Sequence, residues 1–162
     1  MKNLKIISNS PSNTIKTAKN LAKLLKTGDT VVLTGELGAG KTKFTEGFLS
    51  YYNLEDEISS PTFNIVNEYK TPFSTIYHFD VYRLADIDEF YAIGGEEYFD
   101  KGICLIEWGE LISDVLPKDF IHITIHKDLI NENLRVFEIE VNDNSKYIDI
   151  LNKLKEEFNW KF

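Results

Sequence analysis

Residues 30–44 read TVVLTGELGAGKTKF, and the fold is decided by how this stretch divides. TVVLTG (30–35) is a run of β-branched and apolar residues without alternation, the pattern of a strand buried on both faces. KTKFTEGFLSYY (41–52) reads as a helix. Between them Gly35, Glu36, Leu37, Gly38, Ala39, Gly40, Lys41 and Thr42 fit G-x-x-x-x-G-K-[ST]. Glycines lack Cβ atoms, so backbone N–H groups can converge on an anion. The following helix would begin at that anion, with its partial positive charge and free N–H groups aimed at it. Lys41 is a mobile point charge for β- and γ-phosphates. The Thr42 hydroxyl is the Mg²⁺ ligand such a loop requires. Strand, glycine loop and helix in this order predict a nucleotide site.

A nucleotide with Mg²⁺ needs a further carboxylate, usually at the end of a neighbouring strand. Glu107 ends the apolar run ICLIE, and Asp80 ends TIYHFD. Two acids on two strands beside one phosphate loop suffice to hold a metal and orient a water. Thr62, in the turn SSPTF, could place a hydroxyl on the metal and respond to the γ-phosphate as a switch. Trp108 directly follows Glu107, a place for contact with nucleotide or partner, or for core packing. Cys104 lies inside the same apolar strand and reads as inert. His122 and His126 alternate on one strand without Cys or acidic companions in order, a poor metal set.

Outward from the loop, SNSPSNTIKTAKNLAKLLKTGD reads as a helix capped by Ser12 or Thr14 and stopped by Gly28. Its apolar stripe is Ile15, Ala18, Leu21, Ala22 and Leu25. TFNIVNEYK and STIYHFDVYRL suggest a hairpin. ADIDEFYAIGGEEYF looks helical with a break at Gly94-Gly95. FIHITIH and NLRVFEIEV alternate and should pair as late strands. SKYIDILNKLKEEFNW closes the stretch as an amphipathic helix over 145–158. These elements predict an α/β fold over residues 1–162 as a single domain. The expected architecture is a P-loop NTPase three-layer sandwich with a mostly parallel central sheet and an antiparallel portion.

The 162 residues are enough to bury a real core, and 43% hydrophobic with 13% aromatic content argues for a folded globule. A net charge of −8 disfavours primary nucleic-acid binding, because phosphate contacts need a basic face. The N-terminal MKNLKIISNSPSN lacks the long apolar centre of a signal peptide, and no run suits a membrane span. One cysteine excludes an internal disulfide and points to the reducing cytoplasm.

Among nucleotide enzymes, a GTPase would need an Asn-Lys-x-Asp guanine reader, and LPKDF and HKDL lack the Asn. The Leu-Ser-Gly-Gly stretch of transporter ATPases is missing too. Only two arginines, Arg83 and Arg135, are present, too few for the usual lid of a small-molecule kinase. ATP or a permissive nucleotide site with weak intrinsic hydrolysis remains. A small kinase and a nucleotide-gated binding module stay open as other classes.

Five stretches together resemble one family: TGELGAGKTKFTEGFL, SPTFNIVNEY, YHFDVYRL, GGEEYFDKGICLIEWGE and RVFEIEV. In order and spacing they look like the bacterial ATPase family of tRNA threonylcarbamoyladenosine biosynthesis, TsaE (formerly YjeE), over residues 7–141. Gly95 departs from the pattern where a larger apolar residue is expected, and Gly109 where Pro or Ala is usual. The resemblance implies slow hydrolysis of ATP with Mg²⁺. It also implies partners: a threonylcarbamoyl-transferase subunit and its inactive paralogue, which together modify adenosine 37 of tRNA. Contact with tRNA would come through that complex, and no membrane is involved. By the same resemblance Lys41 holds phosphates, Thr42 and Glu107 serve Mg²⁺, and Asp80 is required for hydrolysis. Thr62 acts in a switch-like loop and Trp108 lies beside the site. Arg135 would reach the nucleotide, and residues 8–12 would meet the adenine edge.

Overall fold

The computed structural model describes residues 1–36, 38–58, 65–84 and 86–158. Leu37 and Thr62 of the expected site, and residues 62–64 of the first hairpin strand, lie outside them. The described strands are β1 (Lys2–Ser8), β2 (Thr30–Gly35), β3 (Val66–Lys70), β4 (Thr75–Asp80), β5 (Ile103–Glu107), β6 (Ile121–Lys127) and β7 (Arg135–Val141). The helices are α1 (Pro11–Leu24), α2 (Lys41–Ser50), α3 (Ile87–Ala92) and α4 (Ile148–Phe158). Short 3-10 segments follow β4 (Val81–Arg83), α3 (Gly95–Asp100) and β5 (Gly109–Val115).

One seven-stranded sheet runs in the order β1-β7-β6-β2-β5-β4-β3. The centre is parallel, with β2 between β6 and β5 and β4 beyond β5. Antiparallel pairs close both sides: β3 on β4, β7 on β6 and β1 on β7. Parallel neighbours need crossovers, and here these are helices and 3-10 segments laid on both faces. The expected sandwich with a parallel centre and an antiparallel portion is therefore what the chain forms.

Alternation along each strand divides the apolar residues between two cores. Val31 and Leu33 of β2, Ile103 and Leu105 of β5 and Ile121, Ile123 and Ile125 of β6 face α1, α2 and α4. Tyr77, Phe79, Cys104 and Ile106 face the opposite way, against Phe90 of α3, Phe99 and Ile112. Phe44, Phe48, Phe79, Phe90 and Phe137 are fully buried, each contributing roughly 1.5–3 kcal/mol. Burial pushes the Cys104 thiol up to about 12, so the group stays protonated and unreactive.

Helices α1 and α2 cross at Gly47. A Cβ there would stand 2.5 Å from the carbonyl oxygen of Ile15, so the pair closes only on glycine. Gly95 and Gly109 stand in similarly tight places. A side chain at Gly95 would collide with the Phe90 ring, and one at Gly109 would meet Val32 Cγ1 at 2.7 Å.

Three local expectations change. The N-cap of α1 is Ser10, whose hydroxyl accepts from Asn13 N at 3.2 Å, with Pro11 in the first turn. Neither Ser12 nor Thr14 caps it, since Pro11 already has the fixed φ that opens a helix. The helix ends at Leu24, and Gly28 (φ +95°) instead serves the turn into β2. The late helix starts at Ile148 rather than 145. Before it, Tyr147 is buried and its hydroxyl accepts from Thr30 N at 3.0 Å, which ties this end of the chain to β2.

Candidate functional site

The C-terminal ends of the parallel strands converge on one edge, where open α/β sheets place their ligand crevices. Gly35 ends β2, and the glycine loop turns from it into α2. Gly38 (φ +79°) and Gly40 (φ +111°) take left-handed conformations that only glycine adopts without strain. Gly40 is the residue that caps α2, so no side chain stands between the helix N-terminus and the space in front of it. Asp80 and Glu107 are direct partners in the β4–β5 register, and Glu107 is level with Leu33 of β2. Both acids thus arrive beside the loop because their strands are in register with the strand that feeds it.

A cleft of about 690 Å³ opens here, lined by Glu36, Gly38, Gly40, Lys41, Thr42, Lys43, Asp80, Tyr82, Glu107 and Trp108. The structure therefore brings together most of the expected site. Lys41 is largely buried. Its ammonium donates to the carbonyls of Gly35 and Glu36 and lies 4.5 Å from the Trp108 ring centroid. It is folded back on its own loop, held by dipoles and a ring face that a phosphate can outcompete. Thr42 is exposed in the first turn of α2. Asp80 Oδ1 accepts from Tyr82 N at 3.1 Å, which caps the 3-10 turn and aims the carboxylate. Trp108 has φ +63°, unusual for a bulky residue, and its ring packs against Tyr82 at 5.1 Å.

Arg135 does not line this cleft. Its Nε donates to Ala39 O at 2.8 Å and its Nη2 to Gly38 O at 3.4 Å, gripping the glycine loop from the β6–β7 side. Two further bonds run to Glu132 O and Leu134 O. Together with Ser10, Pro11 and Thr14 it borders a separate cavity of about 90 Å³ next to Gly40. The segment 8–12 expected at the adenine is thus close to the loop. Ser8, however, is buried, its hydroxyl engaged with Ser10 O and Thr14 Oγ1, both at 2.9 Å. His122 bonds Thr34 Oγ1 and His126 pairs with Glu138, each at 3.0 Å.

Two residues of the site went unread in the sequence. Tyr82 packs on Trp108 with no local pattern to announce it. His78 approaches Glu107, with Nε2 2.7 Å from Oε2. Its signal was the alternation in HFD, which puts His78 and Asp80 on one strand face.

The donor set suits Mg²⁺: a hydroxyl and carboxylates are hard oxygen ligands, and Mg²⁺ is commonly held by one or two carboxylates plus substrate phosphates. Among the described residues no group of three His, Cys, Asp or Glu could hold a metal unaided.

Comparison with known proteins follows the same residues. The family model described as "Threonylcarbamoyl adenosine biosynthesis protein TsaE" matches residues 8–135. A protein of Rickettsia felis named tRNA threonylcarbamoyladenosine biosynthesis protein TsaE is 41% identical over 148 residues, covering 90% of this chain and 85% of the relative. One of the same name from Bacillus subtilis is 42% identical over 128 residues, covering 78% of this chain and 80% of the relative. Among solved structures, Bacillus subtilis YdiB superposes with a TM-score of 0.70 at 32% identity, covering 99% of this chain and 96% of that one.

Proposed function

This chain belongs to the TsaE family of threonylcarbamoyl adenosine biosynthesis proteins, and we propose on that footing that it is a Mg²⁺-dependent ATPase. It would act on the threonylcarbamoyl-transferase subunit and its inactive paralogue, which modify position 37 of tRNA. The observation that carries this reading is the convergence of Lys41, Thr42, Asp80 and Glu107 on one cleft at the end of a parallel sheet.

The chain's own groups divide the work. Backbone N–H groups of the glycine loop and the start of α2 receive the phosphates. Lys41 leaves the carbonyls of Gly35 and Glu36 for the β- and γ-phosphates. Thr42 and Glu107 would hold Mg²⁺, which when bound supplies charge neutralisation at the phosphate oxygens. Asp80, aimed by Tyr82 N, orients the attacking water and takes its proton. The bond from the γ-phosphorus to the bridging oxygen breaks, and ADP and phosphate leave. Arg135 holds the loop in shape through Gly38 O and Ala39 O.

Slow hydrolysis by the isolated chain is part of the proposal. Among the described residues, the cations lining the cleft are Lys41 and Lys43. An activating positive group would come from the partner, as it does in other nucleotide switches. The acidic balance of the chain argues that tRNA is met through the complex. The lone cysteine suits a reducing cytoplasm, and no helix among the described residues is long and apolar enough to cross a membrane.

The test is reconstitution. The purified transferase pair, tRNA and a threonylcarbamoyl donor are incubated with and without this chain and ATP. Modification should continue past a single turnover only with the wild-type chain and hydrolysable ATP. Equal yields with a non-hydrolysable ATP analogue would sink the ATPase role.

A further inference from the structure

We infer that His78 is a positioning residue for Glu107: it holds one carboxylate oxygen from behind so that the other faces the cleft. The inference rests on reading the cleft as a Mg²⁺–nucleotide site.

His78 sits inside β4 opposite Leu105 and is 3% exposed, and it does not line the cleft. Glu107, two positions further along β5, does line the cleft, and its side chain is 13% exposed. An ionised carboxylate only accepts hydrogen bonds, so the 2.7 Å contact is Nε2–H donating to Oε2. Among the described residues this is the only hydrogen bond that holds the Glu107 side chain.

The other side of the ring argues against a purely structural role. His78 Nδ1 is buried and has no hydrogen-bond partner among the described residues. A leucine at this position, among Ile76, Leu105 and their neighbours, would fill the space with no orphaned atom. Folding stability alone therefore favours an apolar residue, because an unpartnered buried polar atom is destabilising. What the imidazole contributes is one directional bond, and that bond ends on the acid expected to serve the metal. A glutamate at a strand end has three rotatable bonds, and tethering Oε2 removes most of that freedom before any ligand arrives. Groups that orient a metal-binding side chain in this way typically change metal affinity by about 10–100-fold when lost.

The experiment compares wild type, His78→Leu, His78→Gln, Glu107→Gln and the double variant His78→Leu/Glu107→Gln. The readout is binding of a fluorescent ATP analogue, titrated with Mg²⁺ and repeated in EDTA. His78→Leu should need about 10–100-fold more Mg²⁺ to reach its tight-binding state, with EDTA affinity and melting temperature not reduced. His78→Gln, whose amide N–H can reach the same oxygen, should recover most of the loss. In the Glu107→Gln background, His78→Leu should add nothing, since the two side chains act as one unit. An unchanged Mg²⁺ requirement in His78→Leu overturns the inference and leaves the reading of the cleft intact. So does a loss in His78→Leu that Gln fails to recover, or one that adds fully to Glu107→Gln. If wild-type affinity itself does not respond to Mg²⁺, the reading of the cleft fails, and the inference fails with it.

Discussion

Lys41→Ala should weaken ATP binding by roughly 100-fold, about 3 kcal/mol, the scale of losing charge-assisted bonds to phosphate. The reason lies in where the ammonium rests. It is held by two loop carbonyls and the Trp108 ring, all weaker partners than a phosphate oxygen. Moving from loop to nucleotide therefore gains charge–charge attraction in a partly dry cleft. Lys41→Met separates the effects, since it keeps the stem against Trp108 and removes only the charge. Calorimetric titration with ATP checks both variants. If Lys41→Ala binds within about threefold of wild type, the phosphates do not sit on this loop, a loss too small for even one charge-assisted bond.

Asp80→Asn and Glu107→Gln should leave metal-free ATP binding close to wild type. Hydrolysis should fall by about 10²–10⁴-fold in Asp80→Asn, the usual contribution of a positioned base. Asparagine keeps Oδ1, so the bond from Tyr82 N that caps the turn after β4 survives. The loss then reports chemistry and not folding. In Glu107→Gln the amide keeps the size of the side chain but gives Mg²⁺ a neutral oxygen, and the Mg²⁺ requirement should rise with the drop in rate. Phosphate release over a Mg²⁺ series measures both. Full tRNA modification supported by Asp80→Asn would instead favour a nucleotide-gated binding module, whose work is done by binding alone.

The parts of this fold that were legible in the sequence are those specified locally. TVVLTG and ICLIE are apolar without alternation, so they read as central strands, and the loop between β2 and α2 has a spacing few other needs impose. Asp80 and Glu107 followed from their places at strand ends. What was missed depends on partners far along the chain. In β1, Lys2–Ser8, Leu4 and Ile6 alternate with Asn3 and Lys5, a faint pattern that becomes a strand only because β7 supplies the opposite edge. The bonds from Arg135 to Gly38 O and Ala39 O likewise have no signature in its sequence context. In the sequence His78 is one polar residue inside the run TIYHFD. Its role emerges from the β4–β5 register, which sets Asp80 beside Glu107 and leaves His78 directly behind. Pro11 opens α1, which places the cap at Ser10, two residues before Ser12 and four before Thr14, the caps that propensity suggested.

The measurement that bears most directly on the proposed role is the rate of ATP hydrolysis with Mg²⁺, alone and with the purified threonylcarbamoyl-transferase pair. It should be made for wild type and Glu107→Ala. A slow rate alone, a faster rate with the pair, and loss of both in the variant is the predicted result. Equal wild-type rates with and without the pair, with ATP binding intact, would contradict it.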